Sequence, residues 1–180
     1  VFKPDNLTDA KYENKEYLMN AYDNTIRYTD GFLASLITLL QKTNSFSAML
    51  YTSDHGEDIF DDSRRLFLHA SPVPSYYQIH VPFLLWMSDS YRDHYPSLWE
   101  NTISNKQKNI SSSASFFHTM LELGGVTTPY RNDSLSVVNV LFTEKPRVYL
   151  NDHNEARSLN EIGMGEEDFE MLQQKGILYR

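Results

Sequence analysis

From Asn14 to Lys42, apolar side chains return every three or four positions, at Leu18, Tyr22, Ile26, Phe32/Leu33, Leu36 and Leu40. This is the spacing of one face of an α-helix. Asp23, Asn24, Arg27 and Thr29 lie between them, and Gly31 is a tolerated weak point. After the polar exit Lys42-Thr43-Asn44-Ser45 the pattern changes: Phe46–Thr52 reads as a buried strand, and Ser53-Asp54-His55-Gly56-Glu57 follows at its carboxyl end. Asp58–Arg65 reads as a charged, solvated loop and Ala70–Ser75 as a Pro-punctuated one. Val81–Met87 is a near-continuous apolar run, expected for a central strand covered on both faces.

Tyr91–Tyr95 begins a short helix or turn, and Asn101–Asn109 reads as a polar loop. Ser111–Leu123 predicts a helix with Phe116, Phe117, Met120, Leu121 and Leu123 as its apolar face and Gly124-Gly125 as its stop. Asp133–Leu141 fits no single pattern. Pro146–Leu150 reads as a strand, Glu166–Lys175 as an amphipathic helix ended by Gly176, and Ile177–Tyr179 as a last short strand. Strands alternating with helices predict a layered α/β fold.

The 180 residues suit one domain, and 41% hydrophobic with 13% aromatic content is enough for a packed core. A net charge of −8 without a Lys/Arg cluster excludes a nucleic-acid footprint. With no cysteine, disulfides and thiolate metal sites are excluded, so any metal must be held by oxygen and nitrogen. No apolar run reaches the ~18 residues of a membrane span. The chain opens on Val1-Phe2-Lys3-Pro4 without Met and reads as a piece of a longer polypeptide, with targeting or membrane segments expected upstream.

The adjacent Asp54 and His55 supply hard oxygen and borderline nitrogen, donors that suit Zn²⁺ or Mn²⁺. They stand at a strand's carboxyl end, where open α/β sheets gather ligands, and Gly56 allows close approach of backbone. By itself the pair also fits a strand-end turn in which Asp caps and His is exposed.

Four blocks in order sharpen this. Asn20–Asp30, Tyr51–Glu57, Leu68-His69 and Gln78–Ser88, continued by Ser113–Leu123 and Thr127–Tyr130, resemble the C-terminal half of the bacterial phosphoethanolamine transferases. That family lies in the sulfatase branch of the alkaline phosphatase superfamily. The resemblance covers roughly residues 12–135; the tail 146–180 is unplaced. It implies a layered α/β sandwich of alkaline phosphatase/sulfatase type, with residues 1–180 the C-terminal part of a single catalytic domain.

It further implies zinc held by Asp54 and His55. His69 is implied to act beside the metal, on the substrate phosphate or a second zinc. Glu57 is either a substrate-pocket acid or, more economically, an acceptor for turn amides. The family's threonine nucleophile and remaining carboxylate ligand are expected upstream, so this chain holds no nucleophile and the isolated fragment is expected to be inactive. The implied donor is phosphatidylethanolamine and the implied acceptor lipid A or another envelope glycan. N-terminal helices outside this chain would anchor the whole protein at the periplasmic face of the inner membrane.

Two other functions remain open on the residues alone. One is a sulfatase or phosphodiesterase that uses water as acceptor; the other is a non-catalytic domain that binds a glycan or partner. The chain departs from the family in lacking disulfides, in a longer Gly56–His69 stretch, and in Ala114-Ser115 where an Asp-Asn pair is common. Elsewhere, His80 is expected to be structural and His118 a core histidine, Asn151-Asp152-His153 a solvated turn, and Asp58, Asp61 and Asp62 solvated acids.

Overall fold

The computed structural model describes residues 1–4, 9–69, 73–150, 153 and 155–177. Helix α1, Lys15–Lys42, runs the length its periodicity predicts. Only its first turn is tightly packed: Leu18 is buried with Ile59 and Phe60, and Tyr22 and Phe67 complete that cluster. Strand β1, Ala48–Thr52, follows and pairs antiparallel with β4, Phe83–Met87, in the register Ala48↔Met87 to Thr52↔Phe83. The apolar run of β4 is therefore not a strand packed between two neighbours. Among the described residues it pairs with β1 alone, and only Met87 within it is buried. Here a continuous apolar run reports neither full burial nor the number of partners.

Between β1 and β4 the chain forms β2, Asp58–Ile59, and β3, Phe67–Leu68, a two-rung antiparallel ladder, then the short helix α2, Tyr76–Ile79. Ser75 caps α2 by accepting from the Gln78 amide. Beyond β4 lie α3, Asp89–His94, and α4, Pro96–Asn105. The polar loop expected at 101–109 is thus helix over its first half. Pro96 presets the first helical turn. Asn105, 3% exposed, donates to the Val137 and Asn139 carbonyls at 3.1 and 2.9 Å. Its packing partner is backbone, which an apolar pattern cannot register.

Helix α5, Ser112–Leu123, buries a different face from the one its sequence suggests. Ser115, Thr119 and Leu123 are buried, whereas Phe117 and Met120 are 52% and 46% exposed. The small polar side chains let the 133–142 segment approach: Thr119 Oγ1 accepts from the Val137 amide at 3.1 Å. Met87, Tyr91, Leu123, Val137, Val138 and Phe142 form the core there.

The described residues of the tail form regular elements. Strand β5, Val148–Leu150, pairs with β6, Ala156–Ser158, which the sequence did not announce, and α6 follows over Glu166–Gln174. Leu159, Met164 and Leu172 close a second core over Tyr76 of α2. The strand expected at 177–179 falls mostly outside the described residues, as do Asn151 and Asp152 of the second Asp-His motif. Among the described residues no helix is long and apolar enough to cross a membrane.

Candidate metal centre

The site begins where β1 ends. Ser53 Oγ donates to the His55 carbonyl at 2.8 Å, and Asp54 Oδ1 accepts from the His55 amide at 3.0 Å. That amide bond, with the nearby His55 ring, holds the exposed Asp54 carboxyl below its ordinary pKa. Gly56 serves close approach here: its amide donates to the Gln78 carbonyl at 2.8 Å, and a Cβ would stand 2.1 Å from the Tyr77 oxygen. The α2 backbone thus fixes the turn that carries His55.

His55, Glu57 and His69 converge, with one ligand atom from each lying within 4.8 Å of the others. The imidazole rings of His55 and His69 lie 3.9 Å apart between centroids, tilted by 38° to each other. Glu57 does not serve turn amides. Its two oxygens lie 2.8 and 3.0 Å from His69 Nδ1, and Oε1 lies 3.9 Å from His55 Nδ1. A proton on His69 Nδ1 is then held by Glu57, which leaves Nε2 open, the arrangement that orients histidines toward metals. Similarly, His55 Nδ1 meets the Gly56 carbonyl at 3.0 Å, leaving its Nε2 3.7 Å from Asp54 Oδ2. The donor set of two imidazoles and carboxylates with an open side fits Zn²⁺.

So the structure brings His69 to His55 and keeps Asp54 beside them, 87% exposed at its side chain. Sequence reasoning undervalued Glu57, although its position two residues beyond His55 places both on one side of an extended chain.

The expected solvated acids are embedded. Asp58 is 2% exposed and accepts from Ser75 Oγ at 2.7 Å and Gln78 Nε2 at 2.5 Å. Asp61 accepts from the Ile59 amide. Asp62 takes one edge of the Arg64 guanidinium, while Asp168 of α6 takes the other at 2.5 and 2.8 Å. Asp168, 1% exposed, also accepts from the Tyr76 and Gly165 amides at 2.8 and 3.0 Å. These bonds raise the Arg64 pKa further, Asp168 first and Asp62 second. The tail therefore clamps the loop that ends in His69. Within that loop Phe60, Arg65 and Leu68 adopt positive φ of 57°, 54° and 64°, a region costly for side chains with a Cβ.

His80 and His118 are hydrogen-bonded within the fold. His80 Nδ1 pairs with the Tyr76 hydroxyl at 2.8 Å. His118 is half-buried rather than core, and its Nδ1 accepts from the Asn132 amide at 3.1 Å.

A cavity of about 500 Å³ is lined by Asp54, His55 and His69 together with His80, the start of α5, Arg147, Leu159 and Leu172.

The sulfatase family model matches residues 2–126. Phosphoethanolamine transferase EptA of Helicobacter pylori is 31% identical over 138 residues, 75% of this chain and 24% of that protein. Its Escherichia coli K12 counterpart is 35% identical over 121 residues, 64% of this chain and 22% of that protein. The chain thus spans about a quarter of the curated relatives it matches. Among solved structures, the periplasmic domain of E. coli EptC in complex with Zn superposes with a TM-score of 0.65 at 26% identity, over 92% of this chain and 45% of that one. The soluble domain of Neisseria meningitidis lipooligosaccharide phosphoethanolamine transferase A gives 0.68 at 25%, over 81% and 44%.

Proposed function

The chain belongs to the sulfatase family, and from that premise we propose that it is the C-terminal part of the catalytic domain of a zinc-dependent phosphoethanolamine transferase. The observation that carries this reading is the convergence of His55, Glu57 and His69 beside Asp54, in a chain whose relatives are named for that transfer. Asp54 and His55 are the zinc ligands, and His69 stands next to them to meet the substrate phosphate. The donor is phosphatidylethanolamine, the acceptor lipid A or another envelope glycan, and the threonine nucleophile lies outside these residues. The whole protein works at the periplasmic face of the inner membrane.

The residues suit these tasks. Zinc bound there supplies Lewis-acid chemistry for phosphoryl transfer. Asp54 stays ionised because its turn amide favours the carboxylate. Glu57 lies against His69 Nδ1, a contact that favours the tautomer with Nε2 free of its proton. Gly56, pinned to Gln78, holds His55 at a fixed height over β1.

The test is Asp54→Ala and His55→Ala in the full-length protein, read by bound zinc and by phosphoethanolamine on extracted lipid A. Loss of both is expected, and unchanged transfer overturns the reading. Release of the headgroup to water with no transferred product favours a hydrolase instead.

A further inference from the structure

The cavity lined by Asp54, His55 and His69 is also lined by Arg147, which among the described residues has no carboxylate bound to it. Among the described residues Arg64, Arg92, Arg131 and Arg157 each pair with an acid. Arg147 does not: Nη1 donates to the Ile110 carbonyl at 2.5 Å, while Nε is shut off from solvent and has no partner. Glu144 is near enough to favour its charge, but Glu144 Oε1 accepts from the Asn109 amide at 2.8 Å. A buried guanidinium donor left unpaired is costly, and burial pushes the Arg147 pKa down.

Among the residues that line the cavity with it, Asp54 alone carries a carboxylate. Ser111, Ser112 and Ser113 line the same space. Ser111 makes no side-chain cap, and the first helical bond of α5 runs from the Ser115 amide to the Ser111 carbonyl. The amides of 112–114 therefore begin the helix without intrahelical acceptors. His80 also lines the cavity, and burial, then the charges of Lys175 and Arg147, lower its pKa. Leu150, Leu159, Leu172 and Ile177 give the cavity an apolar lining as well.

We infer that Arg147 and the start of α5 form a subsite for the phosphate group of an amphiphilic phosphate ester whose carbon body lies along the tail. Guanidinium and oriented amides are the donors that phosphate oxygens take, and the apolar wall suits a lipid or acylated sugar. The anion subsite rests on the cavity itself; its role in transfer rests on the function proposed above. The tail thereby becomes part of substrate recognition.

The experiment uses full-length protein, wild type and carrying Arg147→Gln, Arg147→Lys or His55→Ala. Inorganic phosphate binding is measured by calorimetry on metal-stripped protein, with circular dichroism to verify folding. Arg147→Gln is expected to weaken binding about 10- to 100-fold, the worth of charge-assisted bonds. Arg147→Lys should fall between. Equal phosphate binding in folded Arg147→Gln and wild type overturns the subsite, as does weakening by His55→Ala alone, which would place the anion elsewhere.

In zinc-loaded protein, a raised KM for the phospholipid donor assigns the subsite to the donor's phosphodiester. A raised KM for the phosphorylated glycolipid assigns it to the acceptor, and neither change overturns its role in transfer. If His55→Ala transfers normally while Arg147→Gln loses phosphate, the proposed function fails and the subsite stands.

Discussion

Replacing Asp168 by Ala should unfasten the loop that carries His69. The carboxylate is 1% exposed and accepts four hydrogen bonds, two from Arg64 and one each from the Tyr76 and Gly165 amides. Alanine leaves both amides without that acceptor and Arg64 with Asp62 alone. Breaking one partner of a buried ion pair costs about 3–5 kcal/mol, against a total of about 5–15 kcal/mol for a domain. At a urea slope of about 2 kcal/mol/M the midpoint should drop by about 2 M. Asp168→Asn keeps one acceptor oxygen and should lose roughly half as much. The double variant Arg64→Met/Asp168→Leu removes both charges and should be more stable than the sum of the single losses by about 1–3 kcal/mol. Urea unfolding followed by tryptophan fluorescence measures all three. A midpoint shift under about 0.5 M for Asp168→Ala would refute the clamp.

Gly56→Ala should destabilise by about 3 kcal/mol, because its Cβ meets a backbone oxygen that cannot swing aside; a thermal melt within a degree of wild type would contradict this. Glu57→Gln should lower zinc affinity about 10- to 100-fold by loosening His69, measured by chelator competition in the full-length protein. Tyr91 donates to the Leu123 carbonyl at 2.6 Å, and burial pushes its pKa up to about 12 from an ordinary 10.0. The unfolded chain ionises first, so stability should be intact below pH 10 and fall by about 2–3 kcal/mol as pH rises to 12. Tyr91→Phe should lack that component of the alkaline loss, and parallel pH curves for the two proteins would exclude it.

Much of this was legible in the residues. The α1 stripe, the strand before Asp54-His55 and the α5 and α6 boundaries follow from period and from their glycine stops. The Asp-His pair announced itself by donor type and place. What stayed hidden depends on partners distant in sequence. Arg64 and Asp168 are 104 residues apart, so Asp62 looked like part of a solvated run. Asp58 looked equally free because nothing near it shows Ser75 and Gln78 folding over it. Thr119 and Asn105 bury polar faces against backbone, a form of packing that hydrophobic patterns do not record.

The loop between Glu57 and His69 holds Phe60, Arg65 and Leu68 at positive φ. Phe60 is committed to the core with Leu18 and Ile59, but at Arg65 and Leu68 ordinary stabilising drift would install Gly or Asn, relieving of order 1 kcal/mol at each. Glycine would also free the backbone immediately before His69 and let its ring leave His55. Selection for robustness and selection for an assembled site therefore pull in opposite directions at these positions. A library scored for thermal stability alone should enrich Gly there, and its winners should be poor at holding zinc.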